Sequence, residues 1–149
     1  MFREFEAVTS LELTPVERSE MEGQLVQSLK GAMFSNRMRI APRRLQELAN
    51  DETSALQQYL TEPSDAAARE RGRRLQAEGL GHRSIINMTS SLRVAGLRLA
   101  AQHGDAEAVF SAVEAYTSAL MEGYLAGLED DLRLEQQRTH EAYVRSLND

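Results

Sequence analysis

The chain carries no cysteine and no tryptophan among its 149 residues. The first absence removes disulfides, thiolate metal sites and thiol nucleophiles from consideration. No apolar stretch nears the roughly 20 residues that cross a bilayer, and the opening Met1-Phe2-Arg3-Glu4-Phe5-Glu6 is too acidic and too poor in apolar residues for a secretory signal. The expected setting is the cytoplasm, with no membrane partner. Strand signals are missing too: β-branched residues are sparse, apolar and polar residues never alternate for long, and no Asn-Gly or Asp-Gly hairpin pair occurs.

The residues of catalysis are equally thin. There is no glycine-rich phosphate loop, no nucleophile elbow and no Ser, His and Asp set. The three histidines, His82, His103 and His140, each stand alone, with no two at the spacing that puts ligands on one helix face. Glu78 and His82 have that spacing, but Gly79 and Gly81 interrupt it. The expectation is a protein that is not an enzyme, with no metal site and no catalytic residue.

What is present is the makings of one domain, with 42% hydrophobic and 27% charged residues, near globular averages and against global disorder. The net charge of -6 argues against nonspecific binding to nucleic acid, which needs a cationic surface. The charge is unevenly spread: basic against acidic residues number 2 and 6 over residues 1–29, 12 and 7 over 30–98, and 3 and 10 over 99–149. A basic middle between acidic ends fits charge pairing within one fold or between protomers, or else a surface for phosphate or an acidic partner.

Helical periodicity accounts for nearly the whole length. Thr14-Pro15-Val16-Glu17 is a capping box around a proline at the first helical position, and Met21, Leu25, Leu29, Ala32 and Met33 then make one apolar stripe through about Phe34. Upstream, Phe2, Phe5 and Val8 suggest a short extra helix. A second helix begins near Pro42, buries Leu45, Leu48, Ala49, Leu56, Tyr59 and Leu60, and ends before Pro63. Ser64 or Asp65 caps an arginine-rich third helix to Glu78, stopped by Gly79-Leu80-Gly81. Having few apolar residues, it is expected at the surface. The fourth spans roughly His82 to Gln102, with Ile85, Met88, Thr89, Leu92, Ala95, Gly96 and Leu99 facing inward. His103-Gly104-Asp105 closes it, and from about Ala106 helical spacing runs almost to the end, so the fifth helix exceeds 40 residues. The class is all-α.

Beyond Leu128 this last helix turns polar, and a lone polar helix is unstable without a companion. Leu125, Leu128, Leu132, Thr139, Ala142 and Ser146 fit one heptad seam with Glu135 as the exception, the pattern of a parallel coiled coil. Tyr124 and Tyr143 join the candidate dimer or signalling residues. Gly123 and Gly127, four residues apart, point to close helix packing. His103 and His82, at predicted helix ends, are the candidate ligands for haem or another apolar molecule, although no cofactor is favoured. Arg69, Arg71, Arg73 and Arg74 form a possible anion or partner surface, with a solvated face as the simpler reading. Thr139 is a conceivable phosphate acceptor.

Three stretches, Met33-Phe34-Ser35-Asn36-Arg37, Ala41-Pro42-Arg43-Arg44-Leu45 and Gly72-Arg73-Arg74-Leu75 through Glu78-Gly79-Leu80-Gly81-His82-Arg83-Ser84-Ile85, resemble N-terminal sensory regions of bacterial signalling proteins. Gly123-Tyr124-Leu125-Ala126-Gly127 and Leu134-Glu135-Gln136-Gln137-Arg138 are similar to the helix leading from such regions into a STAS, kinase or phosphatase domain. The likeness is to stressosome RsbR-type co-antagonists and covers most of residues 14–149. It implies a single globin-like bundle of five or six helices without haem, dimeric through helices four and five, with a long C-terminal helix. It divides the chain into an arm or short helix at 1–13, a helical sensor at 14–128 and a signalling or linker helix at 129–149. The implied role is to sense a stimulus, to dimerise and to relay to an output domain or signalling protein, either as a sensor region apart from its output domain or as a standalone relative.

Overall fold

Local chemistry sets each helix boundary. The computed structural model describes residues 11–32 and 40–148, so the proposed helix around Phe2, Phe5 and Val8 and the stripe positions Met33 and Phe34 lie outside the described residues. Helix α1 spans Pro15–Gly31. Thr14 Oγ1 accepts from the Glu17 amide at 3.1 Å and the Thr14 amide donates to Glu17 Oε1 at 3.0 Å, which satisfies two amides that no helical carbonyl reaches. Helix α2, Pro42–Thr61, starts on its proline and stops before Pro63, whose ring disfavours helical backbone in the residue before it. The Ser64 hydroxyl accepts from the Ala67 amide at 3.2 Å and opens α3, Asp65–Ala77.

The end of α3 depends on Gly79, which has a φ of 96°, a conformation that L side chains resist. The turn lets the Leu80 amide reach the Leu75 carbonyl at 3.0 Å and the Gly79 amide reach that of Gln76 at 3.0 Å, closing the helix, and both leucines are buried. Helix α4 runs His82–Gln102. Asp105 Oδ1 then accepts from the Ala108 amide at 3.2 Å and α5 continues unbroken over 43 residues, Ala106–Asn148. Among the described residues there is no strand, and the architecture is an all-α bundle with a long C-terminal helix.

Helix α5 is the axis of the bundle. Helix α3 packs along one side of it and α4 along another, while α1 rests on α2 and α4. Leu25, Leu56, Leu60, Leu92, Val113, Tyr116 and Leu120 are fully enclosed at the centre. Gly96 of α4 lets Val113 come close, since a Cβ there would lie 2.9 Å from the valine. The chain ahead of α1 is also held: Gln57 accepts from the Leu13 amide at 2.6 Å and donates to the Leu11 carbonyl at 2.9 Å. No helix among the described residues is long and apolar enough to cross a membrane.

Candidate functional site

The features that distinguish this bundle lie where α3 holds α5 and where α5 leaves the body. Gly72 of α3 faces the backbone of Leu120 and Tyr124, and Gly123 of α5 faces the backbone of Arg69. A Cβ at either position would overlap main-chain atoms. Gly127 lies against Gln76, 2.7 Å from a would-be Cβ to Oε1. The two helices thus touch backbone to backbone, and polar groups line the seam: Arg69 to Glu122 at 3.6 Å, Arg73 to Asp130 at 2.9 Å, and Gln76 Nε2 to Asp131 Oδ2 at 2.7 Å. Three arginines of the basic middle, Arg69, Arg73 and Arg93, thus pair with the acidic end. Each exposed pair contributes only about 0–1 kcal/mol, so the close packing, with its many dispersion contacts, does more to hold the two helices together.

The third helix lies at the surface as expected, with eight of its 13 residues exposed. Its Arg69, Arg73 and Arg74 are exposed, but Arg71 turns inward, and its place in an anion-binding surface has to be corrected. Arg71 Nε lies 2.6 Å from Oε2 of Glu52, a fully buried carboxylate of α2. The Tyr116 hydroxyl of α5 donates to the other oxygen of Glu52 at 2.6 Å. Three helices meet at one carboxylate. Tyr59 stands edge-on to Tyr116, with ring centroids 5.4 Å apart and planes at 71°, and its hydroxyl donates to Asp65 at 2.7 Å. Burial and the Glu52 charge hold the Tyr116 phenol well above its usual range, with Arg71 opposing. Burial works against the Arg71 cation, but the Glu52 carboxylate outweighs it and keeps the guanidinium charged. Glu52 was legible in principle: it falls on the stripe of Leu45, Leu48, Ala49 and Leu56, where a charged residue needs a partner.

The histidines are scattered. His103 Nε2 lies 3.2 Å from Glu17 Oε2, joining the end of α4 to the capping box of α1. Burial raises the Glu17 pKa, but the Thr14 amide bond and the His103 contact overcome this and set it below the usual carboxylate range. His82 is exposed on the first turn of α4 and borders a cleft of about 540 Å³ between the α3–α4 connection and the departing α5, lined by Leu80, Tyr124, Leu128, Asp131 and Glu135 among others. His140 is exposed on α5. Among the described residues, no group of three or more His, Asp or Glu is arranged to hold a metal ion.

Past this cleft α5 runs on with no other described helix packed beside it. Every position from Leu132 to Asn148 is exposed, a rod of roughly 25 Å. Leu125, Leu132, Tyr143 and Leu147 are more than half exposed, and Thr139 and Ala142 are open to solvent. Tyr124 does not belong with them: it is buried and its hydroxyl donates to the Leu80 carbonyl at 2.7 Å. It anchors the rod instead of facing a partner.

No family model, no curated protein and no solved structure matches the chain.

Proposed function

We propose that the chain is a noncatalytic signal-sensing and dimerisation module that relays a signal through α5 to an output domain or partner, in the manner of the sensory domains of RsbR-type co-antagonists. One observation carries the reading: a single helix buries one face over Val109 to Gly127 and runs on, without a break, into a rod that is exposed from Leu132 onward and bears large apolar residues. A solitary helix of this polarity has little intrinsic stability, so an ordered rod calls for a companion. The body sets the position of the rod through Gly72, Gly123 and Tyr116, and a change in their packing changes what the companion meets.

The ligand-sensing version of this reading draws on the cleft beside His82, which adjoins both the α3–α4 connection and the first exposed turns of α5. An apolar molecule seated there would touch both. The adaptor reading loses most of its chemistry, because Arg69, Arg71 and Arg73 already face acidic residues of the chain.

The test of the relay reading is the molar mass in solution of the full chain and of a chain stopped at Leu128. A dimer that becomes a monomer on truncation is expected; equal masses reject pairing through the rod. A Soret band that sharpens and shifts relative to free haem when haem is added would support the haem-binding version.

A further inference from the structure

Resting on that self-association reading, we infer that the companion is a second copy docked parallel and in register along an eleven-residue seam of α5, not the seven-residue seam that the heptad spacing suggests. At about 100° per residue, Leu125, Leu132, Gln136, Thr139, Tyr143 and Leu147 fall within an arc of about 80° on a straight helix. Leu132 and Tyr143 are eleven residues apart, as are Leu125 and Gln136, and Gln136 and Leu147. The heptad set drifts off this face by about 20° per repeat. It takes in Glu135, Ala142 and Ser146 and leaves out Tyr143 and Leu147, which are 62% and 67% exposed. The eleven-residue seam collects Tyr143 and Leu147, which the heptad seam strands; Leu134 and Val144, also exposed, lie about 180° and 100° from Leu125 and belong to neither seam. Its period, 3.67 residues per turn, gives rods that run nearly straight with a slight right-handed turn.

The seam does not stop at the body. Leu125 sits on the outward side of α5, opposite Tyr116 and Gly123. Helix α4 lies antiparallel beside it, fixed by Gly96 on Val113 and by Arg93 paired to Glu114 at 3.1 Å. That register brings Ile86 of α4 level with the turn before Leu125 and sets Leu97 about 16 Å further down the body. Ile86 and Leu97 are 49% and 58% exposed and lie within about 40° of Arg93 around α4, on the strip that adjoins α5. Leu125, Leu132, Tyr143 and Leu147 on one face of the rod, continued by Ile86 and Leu97 on the body, make an exposed apolar strip of the kind that marks an interaction site.

A parallel twin covers all of it. An antiparallel twin reaches Leu125 with its tip and ends there, leaving Leu97 in water. In the parallel pair Gln136 meets Gln136 and Thr139 meets Thr139, so the polar positions of the seam bond to one another and hold the register.

The absence of cysteine makes the test direct. Gln136→Cys, Glu135→Cys and Leu147→Cys, each alone on the exposed rod of the full chain, are oxidised gently, and disulfide-linked dimer is followed on a gel beside the molar mass by light scattering. Because a disulfide forms only between Cβ atoms about 3.5–4.5 Å apart, Gln136→Cys is expected to cross-link roughly tenfold faster than Glu135→Cys, and Leu147→Cys to link to its own copy. A dimeric mass with Glu135→Cys the faster overturns the eleven-residue seam. A dimeric mass with rapid linkage at 136 and none at 147 overturns the parallel arrangement. A monomeric mass at high concentration overturns the self-association reading beneath both.

Discussion

Replacing Gly123 by alanine adds one methyl group where α5 meets the backbone of α3. In a helix interior this exchange gains about 1 kcal/mol of propensity. At Gly23 of α1, where nothing lies within 4 Å of the added carbon, that gain stands alone, and the variant melts roughly 2–4 °C higher. At Gly123 the new carbon overlaps the Arg69 carbonyl group. Main chain cannot swing aside as a side chain does, so α3 and α5 must separate, loosening Gly72 against Leu120 and the Arg73–Asp130 pair with it. Overpacking costs about 1–3 kcal/mol when side chains can adjust and more when they cannot. Set against the propensity gain, the net loss is about 2 kcal/mol, a melting temperature lower by roughly 4–8 °C. Circular dichroism melts of the two variants beside the parent provide the measurement. Equal stabilisation by both substitutions would refute the backbone contact as the main tie between α3 and α5.

Removal of the buried carboxylate in Glu52→Ala leaves Arg71 as an uncompensated inward charge and should cost about 3–5 kcal/mol by urea unfolding. Tyr116→Phe removes only the donor to Glu52 Oε1 and should cost about 1–3 kcal/mol; in Glu52→Ala the same tyrosine change should cost less, since its acceptor is gone. For Glu17 the folded pKa lies below the ordinary glutamate value of 4.5, so the carboxylate contributes stability that is full above about pH 4.5 and is lost as pH falls through the folded value. Unfolding curves of the parent and Glu17→Gln should therefore converge on acidification below that point and stay apart at neutral pH.

Helix boundaries were readable because their causes are local. Thr14 with Glu17, the prolines at 15, 42 and 63, Ser64, Gly79 and Asp105 all act within a few residues, and the observed His82–Gln102 and Ala106–Asn148 follow from them. What ties α3 to the body was not readable, since it rests on a missing side chain at Gly72 and an ion pair reaching α2, neither of which adds an apolar residue to the pattern. Tyr124 misled for the reverse reason: it keeps helical spacing with its neighbours but lies about 100° from Leu125 around the helix, enough to move it from the outward side to a carbonyl of the α3–α4 connection. Of the candidate residues, periodicity found the rod, whereas the Glu52 junction needed a charge noticed inside an apolar stripe.

Because α5 has no break between Tyr116 and Asn148, it acts as a lever. A tilt of about 5° at the α3 contact would carry the tip of the rod through about 2 Å, given the roughly 25 Å that stand clear of the body. Displacements too small to unseat any core side chain thus become, at Leu147, comparable to half the spacing between neighbouring turns.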